Sequence, residues 1–331
     1  MKDRLLYLTE HLFQAKVLII GDLMLDCYLT GKTERISPEA PVQVVEFEAE
    51  NNYLGGAANV ARNLASTGGK VDIIGIVGED KESTTFLQLL KKEKIKGYLV
   101  RSKARLTTKK TRIISRNQQL LRIDREVKTE LTEAETNSLK EKIQSVITDH
   151  NFIIISDYAK GTINQKIFDF ILKNKKPETS VIVDPKPRHN IYYHGANIIT
   201  PNAKEAEMLT GISDAERNFE VIAEKLKVKN ASNVLITLGE KGMFLLTSEK
   251  SRLISTIARQ VYDVSGAGDT VIAICTACLS IGATIEEAAE MATIAAGIVV
   301  GKMGTSTVSK DELKDFILTN SNLIKAFKNA N

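Results

Sequence analysis

The segment Asp263-Val-Ser-Gly-Ala-Gly-Asp-Thr270 places two glycines and a carboxylate directly before an unbroken apolar stretch, Val271 to Leu279. A step from loop to helix of this kind leaves backbone N–H groups unpaired at the positive end of the helix macrodipole. With glycine at Gly266 and Gly268, an anion can reach those groups without a Cβ in the way, so the place suits a phosphate. Asp269, at the same helix start, would stand beside a bound phosphoryl group, where a carboxylate can accept the proton of an attacking hydroxyl. The chemistry on offer is phosphoryl transfer to an alcohol. The same residues also read as a turn whose Asp caps a buried helix, and the loop alone does not separate the two readings.

Other polar residues punctuate the ends of apolar runs. Gly21-Asp-Leu-Met-Leu-Asp26 follows the run at 17–20, Gly55-Gly-Ala-Ala-Asn59 opens a helical stretch, and Asn202-Ala-Lys-Glu205 follows the run at 196–200. Taken singly, a glycine pair before a helix is a packing or turn device, and Asn-x-x-Glu is a helix cap.

The elements that must hold these residues follow from periodicity. Short apolar runs at 17–20, 71–76, 152–156, 180–184, 196–200 and 234–237 read as buried strands. Helical spacing fills 56–66, 83–93, 132–148, 164–174, 203–209 and 218–227 between them. Strand then helix, repeated, predicts an α/β fold with a mainly parallel sheet covered on both faces. Such sheets bind ligands at the carboxyl ends of their strands, where Asp22, Asp157, Asp184 and Gly239 fall. After residue 270 the pattern is helix on helix, at 271–280, 284–300 and 310–319, followed by a polar tail. Two stretches break the alternation, at about 28–54 and about 97–125, and read as β insertions with one exposed face. Paired, they predict a small sheet that closes one end of the main sheet as a lid. No repeat, linker or composition jump divides residues 1–331, which predicts a single domain.

Composition narrows the class. Hydrophobic residues at 43% and charged residues at 26% describe a globular chain with a sizeable core. A net charge of +4 with both signs interspersed argues against a nucleic-acid partner, while mild basicity suits small anionic substrates. No leader pattern and no membrane-length apolar run is visible, so no membrane partner is expected. Cys27, Cys275 and Cys278 read as buried thiols, which fits a reducing cytoplasm. The histidines, His11, His150, His189 and His194, show no metal spacing, and no GxxxxGK[ST] marks a P-loop.

In chain order, Gly21-Asp-x-x-x-Asp26, Gly55-Gly-Ala-Ala-Asn59, Asn202-x-x-Glu205 and Asp263-x-x-Gly-Ala-Gly-Asp269 resemble the motifs of the ribokinase-like, or PfkB-type, sugar kinases, over essentially the whole chain. The resemblance implies a ribokinase-like three-layer sandwich with a β-sheet lid, acting with ATP and Mg²⁺. The segments at 35–42, 115–122, 155–161, 183–186 and 300–307 are similar to D-glycero-D-manno-heptose-7-phosphate kinases of lipopolysaccharide-core precursor synthesis. That narrower resemblance implies phosphorylation of the anomeric hydroxyl to the 1,7-bisphosphate, in a kinase-only form without the nucleotidyltransferase fused to it in some members. Ser265 departs from the commoner Thr, and Pro187 from the usual Gly.

Roles carry over residue by residue. The resemblance implies Asp269 as the base, with Gly266, Ala267 and Gly268 donating backbone N–H bonds to the transferred group. It implies Asp26 and Asn59 as holders of sugar hydroxyls, with Gly55 and Gly56 giving close approach. Asn202, Lys204 and Glu205 fall at the Mg²⁺ and phosphate region, with metal contact through water, and Thr237, Gly239 and Gly242 run along the nucleotide. A phosphorylated sugar needs cations, for which Arg112, Arg116, Arg122, Lys160 and Lys186 are candidates, although charges on an exposed ribbon also protect its edge. A homodimer through the lid is implied, and a monovalent cation is admitted as a further ligand. Two rival readings are a kinase of the same fold for another sugar and a non-catalytic sugar-phosphate-binding regulator. A base retained at Asp269 speaks against the second.

Overall fold

The computed structural model describes residues 1–116, 118–188, 193–258, 261–302 and 304–320. From the N-terminus, α1 (Lys2–His11) leads into β1 (Lys16–Gly21), a long hairpin of β2 (Leu23–Ile36) and β3 (Gln43–Gly56), α2 (Ala57–Ser66) and β4 (Lys70–Gly78). Next come α3 (Lys81–Lys92), β5 (Lys96–Ser102), a second hairpin of β6 (Thr108–Ser115) and β7 (Gln118–Arg125), and α4 (Glu133–Gln144). The centre holds β8 (Phe152–Ser156), α5 (Gln165–Asn174), β9 (Ser180–Asp184), β10 (Ala196–Ile199), α6 (Ala203–Thr210) and α7 (Ala215–Lys229), which kinks at Asn218. The chain continues through β11 (Ala231–Thr237), β12 (Met243–Leu246), β13 (Ser251–Ile254), α8 (Ala267–Ser280), α9 (Ile285–Val299) and α10 (Lys310–Thr319).

Nine strands form one sheet in the order β13-β12-β11-β10-β9-β8-β1-β4-β5. All neighbours from β11 to β5 run parallel, and β12 and β13 close one edge antiparallel. Both faces are covered, because alternate residues of the strands point to opposite sides. On β1, Val17 and Ile19 pack into a core with α1, α2, α3, α8, α9 and α10, whereas Leu18 and Ile20 pack into a second core with α4, α5, α6 and α7. No helix among the described residues is long and apolar enough to cross a membrane.

A separate four-stranded sheet, in the order β3-β2-β6-β7, forms the lid. Its boundaries differ from the expected insertions at 28–54 and 97–125. The first hairpin begins at Leu23, since the buried root of β2, Leu23 to Cys27, already pairs with β3 over the end of the main sheet. Residues 96–102 are β5, the edge strand of the main sheet. An edge strand has one side of its ladder in solvent, and its mixed burial made it read like a lid strand. The short β12 and β13, past the Gly239–Gly242 turn, were not foreseen. His189, Asn117 of the 115–122 segment, Met303 of the 300–307 segment and the polar tail from 321 lie outside the described residues.

The lid has two unlike faces. Cross-strand register puts Asp26, Tyr53, Lys110 and Asp124 in one row and Tyr28, Arg112 and Arg122 in the next, all on one side. The intervening rows place Cys27, Leu29, Phe47, Ile113, Leu121 and Ile123 on the other.

Candidate active site

α8 starts at Ala267, four residues before the expected 271, so that Gly268 and Asp269 lie within its first turn. Gly266 is its N-cap in the left-handed region at φ +80, a conformation that disfavours any side chain, and a Cβ there would meet Asn59 Nδ2 at 2.8 Å. Ala267 N–H already donates to Val264 O at 3.2 Å, which corrects the expectation that all three loop amides face a ligand. The Gly266 and Gly268 amides have no partner among the described residues, and a Cβ on Gly268 would meet nothing within 4 Å. That combination is an anion cradle at a helix N-terminus.

Asp269, in the first turn of α8, is buried. Its Oδ2 accepts a hydrogen bond from Asn59 Nδ2 at 2.7 Å, and its Oδ1 accepts one from the Tyr158 hydroxyl at 2.5 Å. Burial lifts the carboxyl from 3.8 to about 6, the Asn59 and Tyr158 hydrogen bonds oppose the shift, Asp26 adds to it, and Lys186 opposes it. The group is therefore charged at neutral pH and close to its titration point, as a general base should be. Burial, with Asp269 and Asp184 nearby, pushes the Tyr158 phenol well above its ordinary value, so it stays a donor.

α2 and α8 are tied together at this point. The Asn63 amide donates to Asn59 O at 2.9 Å, and the Thr270 hydroxyl donates to Asn63 Oδ1 at 2.9 Å. Asn59 is buried, and its Oδ1 accepts no hydrogen bond among the described residues. A buried, unanswered acceptor beside the Asp269 carboxylate suits a ligand hydroxyl. Close by, Asp26 on β2 accepts from Arg112 at 2.5 Å, and Arg112 lies over the Tyr28 ring at 5.3 Å. A Cβ on Gly55 would stand 2.4 Å from Asp26 Oδ2, and Gly56 turns at φ +59 to start α2. Both glycines are required by close approach.

On the other side of Asp269 lies a polar pocket of about 140 Å³, lined by Tyr158, Asp184, Lys186, Asn202, Glu205 and the Gly266 and Gly268 backbone. Burial, reinforced by Glu205 and opposed by Lys186, raises Asp184 well above the usual carboxylate range. Asn202 and Glu205 form a reciprocal capping box at the start of α6, and Lys186 Nζ pairs with Glu205. The Asn-x-x-Glu motif is thus a cap in structure, and its oxygens are engaged before any metal arrives. Oxygen donors without a closed cage suit Mg²⁺ held through its water shell. Adjoining through Thr237 and Gly268 is a cavity of about 500 Å³ walled mostly by apolar side chains, with Gly239, Gly242, Val264, Val271 and Ala296 among its lining. Its size and apolar walls suit a nucleoside.

The expected cations separate. Arg112 is at the site. Lys160 pairs with Glu126 at 2.6 Å and Arg122 with Asp124 at 2.7 Å, both near Lys110. Burial, then Lys160 and Arg122, hold the Lys110 ammonium below its ordinary value against the opposing pull of Asp124 and Glu126, and it makes no side-chain hydrogen bond or ion pair among the described residues. Lys186 stands on the Glu205 side of Asp269, away from the lid. Arg116 donates to Thr33 O at the far end of the lid, six residues beyond Lys110 or about 20 Å along β6. Lys204 is exposed and lines neither cavity. Asp22 and Asp157 are loop clamps: Asp22 accepts from the Tyr158, Lys160 and Thr162 amides, and Asp157 from Tyr193 and the Ala159 amide. Tyr158 and Lys110 were missed by sequence reasoning. Tyr158 stood inside the 155–161 segment, but nothing in one dimension says that its hydroxyl crosses to Asp269.

A profile of the pfkB family carbohydrate kinases matches residues 14–312. The chain is 42% identical over 308 residues to the Bifunctional protein HldE of Helicobacter hepaticus, covering 92% of this chain and 64% of that protein. It is 44% identical over 305 residues to the Bifunctional protein HldE of Shewanella denitrificans, covering 91% and 63%. The chain thus spans less than two thirds of the length of these relatives. Among solved structures, phosphofructokinase-2 from Escherichia coli in complex with potassium superposes with a TM-score of 0.78 at 20% identity, covering 93% of this chain and 99% of that one. Ribokinase from Thermotoga maritima superposes with a TM-score of 0.70 at 22% identity, covering 92% and 100%. These structures share the ribokinase-like fold.

Proposed function

The chain belongs to the pfkB family of carbohydrate kinases and is a phosphotransferase with a hydroxyl acceptor; from that premise we propose that it phosphorylates D-glycero-D-manno-heptose 7-phosphate at the anomeric hydroxyl, with ATP as donor. The observation that carries the reading is the position of Asp269. It stands between a polar corner at Asp26 and Asn59 and an anion cradle at Gly266 and Gly268 that opens onto the apolar cavity. The heptose assignment rests on the HldE relatives and on the segments at 35–42, 115–122, 155–161, 183–186 and 300–307.

Asp26 and Asn59 hold acceptor hydroxyls, Asn59 through the Oδ1 that no protein group satisfies. Asp269 takes the proton of the anomeric hydroxyl as that oxygen bonds to the γ-phosphorus. The bond from phosphorus to the β-phosphate oxygen breaks, and its electron pair leaves with ADP. The Gly266 and Gly268 amides meet charge on the equatorial oxygens, and Lys186 faces the same space. Mg²⁺ supplies charge neutralisation on the phosphates, and Asn202 and Glu205 would reach it through water. Thr237, Gly239 and Gly242 border the nucleoside. A monovalent cation is retained as a further ligand by analogy with the potassium complex of phosphofructokinase-2.

For the 7-phosphate, Lys110 joins Arg112 and Arg122 on the site-facing side of the lid, with Lys160 of the turn after β8 beside them. An ammonium that burial and neighbouring cations disfavour is one that a phosphate dianion would stabilise. The described residues act as one kinase domain with its lid, paired to a second copy through the apolar lid face. ATP use and three buried free thiols support a cytoplasmic location.

The test is turnover by the purified chain with MgATP of heptose 7-phosphate, ribose and fructose 6-phosphate, with product NMR at C1 to assign position and anomer. Equal or faster turnover of ribose or fructose 6-phosphate overturns the heptose assignment.

A further inference from the structure

Both carboxylate oxygens of Asp269 are held, and by different parts of the molecule. Oδ2 faces Asn59 on α2, beside the unanswered Asn59 Oδ1. Oδ1 faces Tyr158, in the turn that follows β8. That turn is fixed independently of Asp269. Asp22 Oδ2 accepts the Tyr158 N–H at 2.8 Å and the Lys160 N–H at 2.9 Å, while Asp22 Oδ1 accepts the Thr162 N–H at 3.0 Å. The ring is held as well, since Lys186 Nζ stands 5.2 Å from its centroid. A phenol anchored at its backbone and covered on its ring has little freedom to turn its hydroxyl away.

We propose that Tyr158 is a positioning residue for phosphoryl transfer: its hydroxyl anchors Oδ1 of Asp269, so that Oδ2 is the oxygen presented to the acceptor hydroxyl on the Asn59 side. The inference deepens the kinase reading above and rests on it. It assigns the two lone-pair edges of one carboxylate to separate tasks, support on the phosphate side and proton acceptance on the sugar side. The bond also favours the charged form of the base, because a hydroxyl donates better to a carboxylate than to a carboxylic acid. The other groups facing Asp269 are Asp26 from β2, Asp184 and Lys186 at the end of β9, and Asn59 from α2, with Glu205 of α6 acting through Lys186. Of these, only Asn59 and Lys186 work with Tyr158 against burial and the neighbouring carboxylates.

The test is the pH dependence of kcat/KM for the sugar phosphate with MgATP, from about pH 5 to about pH 9, in the full chain. Tyr158→Phe is expected to move the acid limb upward by about one pH unit, with activity partly recovered at high pH. Site-specific replacement of Tyr158 by 3-fluorotyrosine keeps the shape and strengthens the donor, and is expected to move the limb downward. This second arm decides the matter if Tyr158→Phe does not fold. A limb that stays in place, with or without a uniform loss of rate, reduces Tyr158 to a structural role and overturns the inference while leaving the kinase assignment standing. A wild-type chain that turns over no sugar phosphate removes the kinase assignment and the inference with it.

Discussion

At the scale of single residues, Asp269 combines a functional requirement with a stability cost. Burial raises its carboxyl from 3.8 to about 6, so the folded chain binds that proton more tightly than the unfolded chain does. The sign follows directly: the stabilising contribution of the protonated form is complete below about pH 4 and is lost as pH rises through about 6. A shift of about two units corresponds to roughly 3 kcal/mol. Asp269→Asn carries no charge to desolvate, so it is expected to melt above wild type at about pH 8 and close to it at about pH 4, as thermal unfolding at the two pH values would check. The same variant is expected to lose turnover by orders of magnitude, because the base is gone. In wild type, kcat/KM is expected to fall as pH drops below about 6, the value set by Asp269. Lys110 supplies a contrasting case. Lys110→Ala removes a half-buried cation that makes no ion pair among the described residues and is expected to raise KM for the sugar phosphate about tenfold or more, with KM for ATP unchanged in steady-state kinetics.

At the scale of elements, the start of α8 separates two glycines that look alike in the sequence. Gly266 sits at φ +80 against Asn59, so Gly266→Ala is expected to destabilise the fold by about 1–2 kcal/mol and to disturb the Asn59 to Asp269 bond. Gly268 is helical and faces open space, so Gly268→Ala is expected to leave stability equal or about 0.5–1 kcal/mol higher. Its methyl would enter the cradle, and kcat/KM for ATP is expected to fall about tenfold, as denaturant unfolding and kinetics measured side by side would show. The place and the end of this helix were legible because nine consecutive small or apolar residues follow a Gly-rich turn, although its first turn begins within that loop, at Ala267. The parallel strands β1, β4, β8, β9, β10 and β11 were legible for the same reason, each being an apolar run bounded by polar residues, whereas the short antiparallel β12 and β13 were not. β5 was not, because its place at the sheet edge leaves Lys96, Gly97 and Arg101 exposed and makes it resemble a lid strand. The motif residues Asp26, Asn59 and Asp269 were legible singly, but Tyr158 and Lys110 depend on a turn clamped by Asp22 and on cross-strand register, which no local pattern encodes.

At the scale of the whole molecule, the lid is an amphipathic sheet with only one face used by the site. Its polar rows, with Asp26, Lys110, Arg112 and Arg122, look toward Asp269, and the pleat forces the intervening residues to the opposite face. On that face Phe47, Leu121 and Ile123 are 67%, 56% and 51% exposed, a density of large apolar side chains that a lone sheet does not keep in water without an aggregation risk. A second copy offers the matching surface, since two-fold pairing sets the same apolar rows against each other. Sedimentation equilibrium of the wild-type chain is therefore expected to give twice the chain mass. Leu121→Glu, placed on the far face and absent from the catalytic machinery, is expected to give the monomer mass with the main sheet intact by circular dichroism. If the lid is ordered by pairing, the monomer should show a raised KM for the sugar phosphate while its KM for ATP stays near wild type, because the cavity proposed for the nucleoside lies among β11, β12, α8 and α9 and no lid residue lines it. A monomeric wild-type chain, or a Leu121→Glu dimer of unchanged strength, would overturn the pairing and leave the apolar face without this explanation.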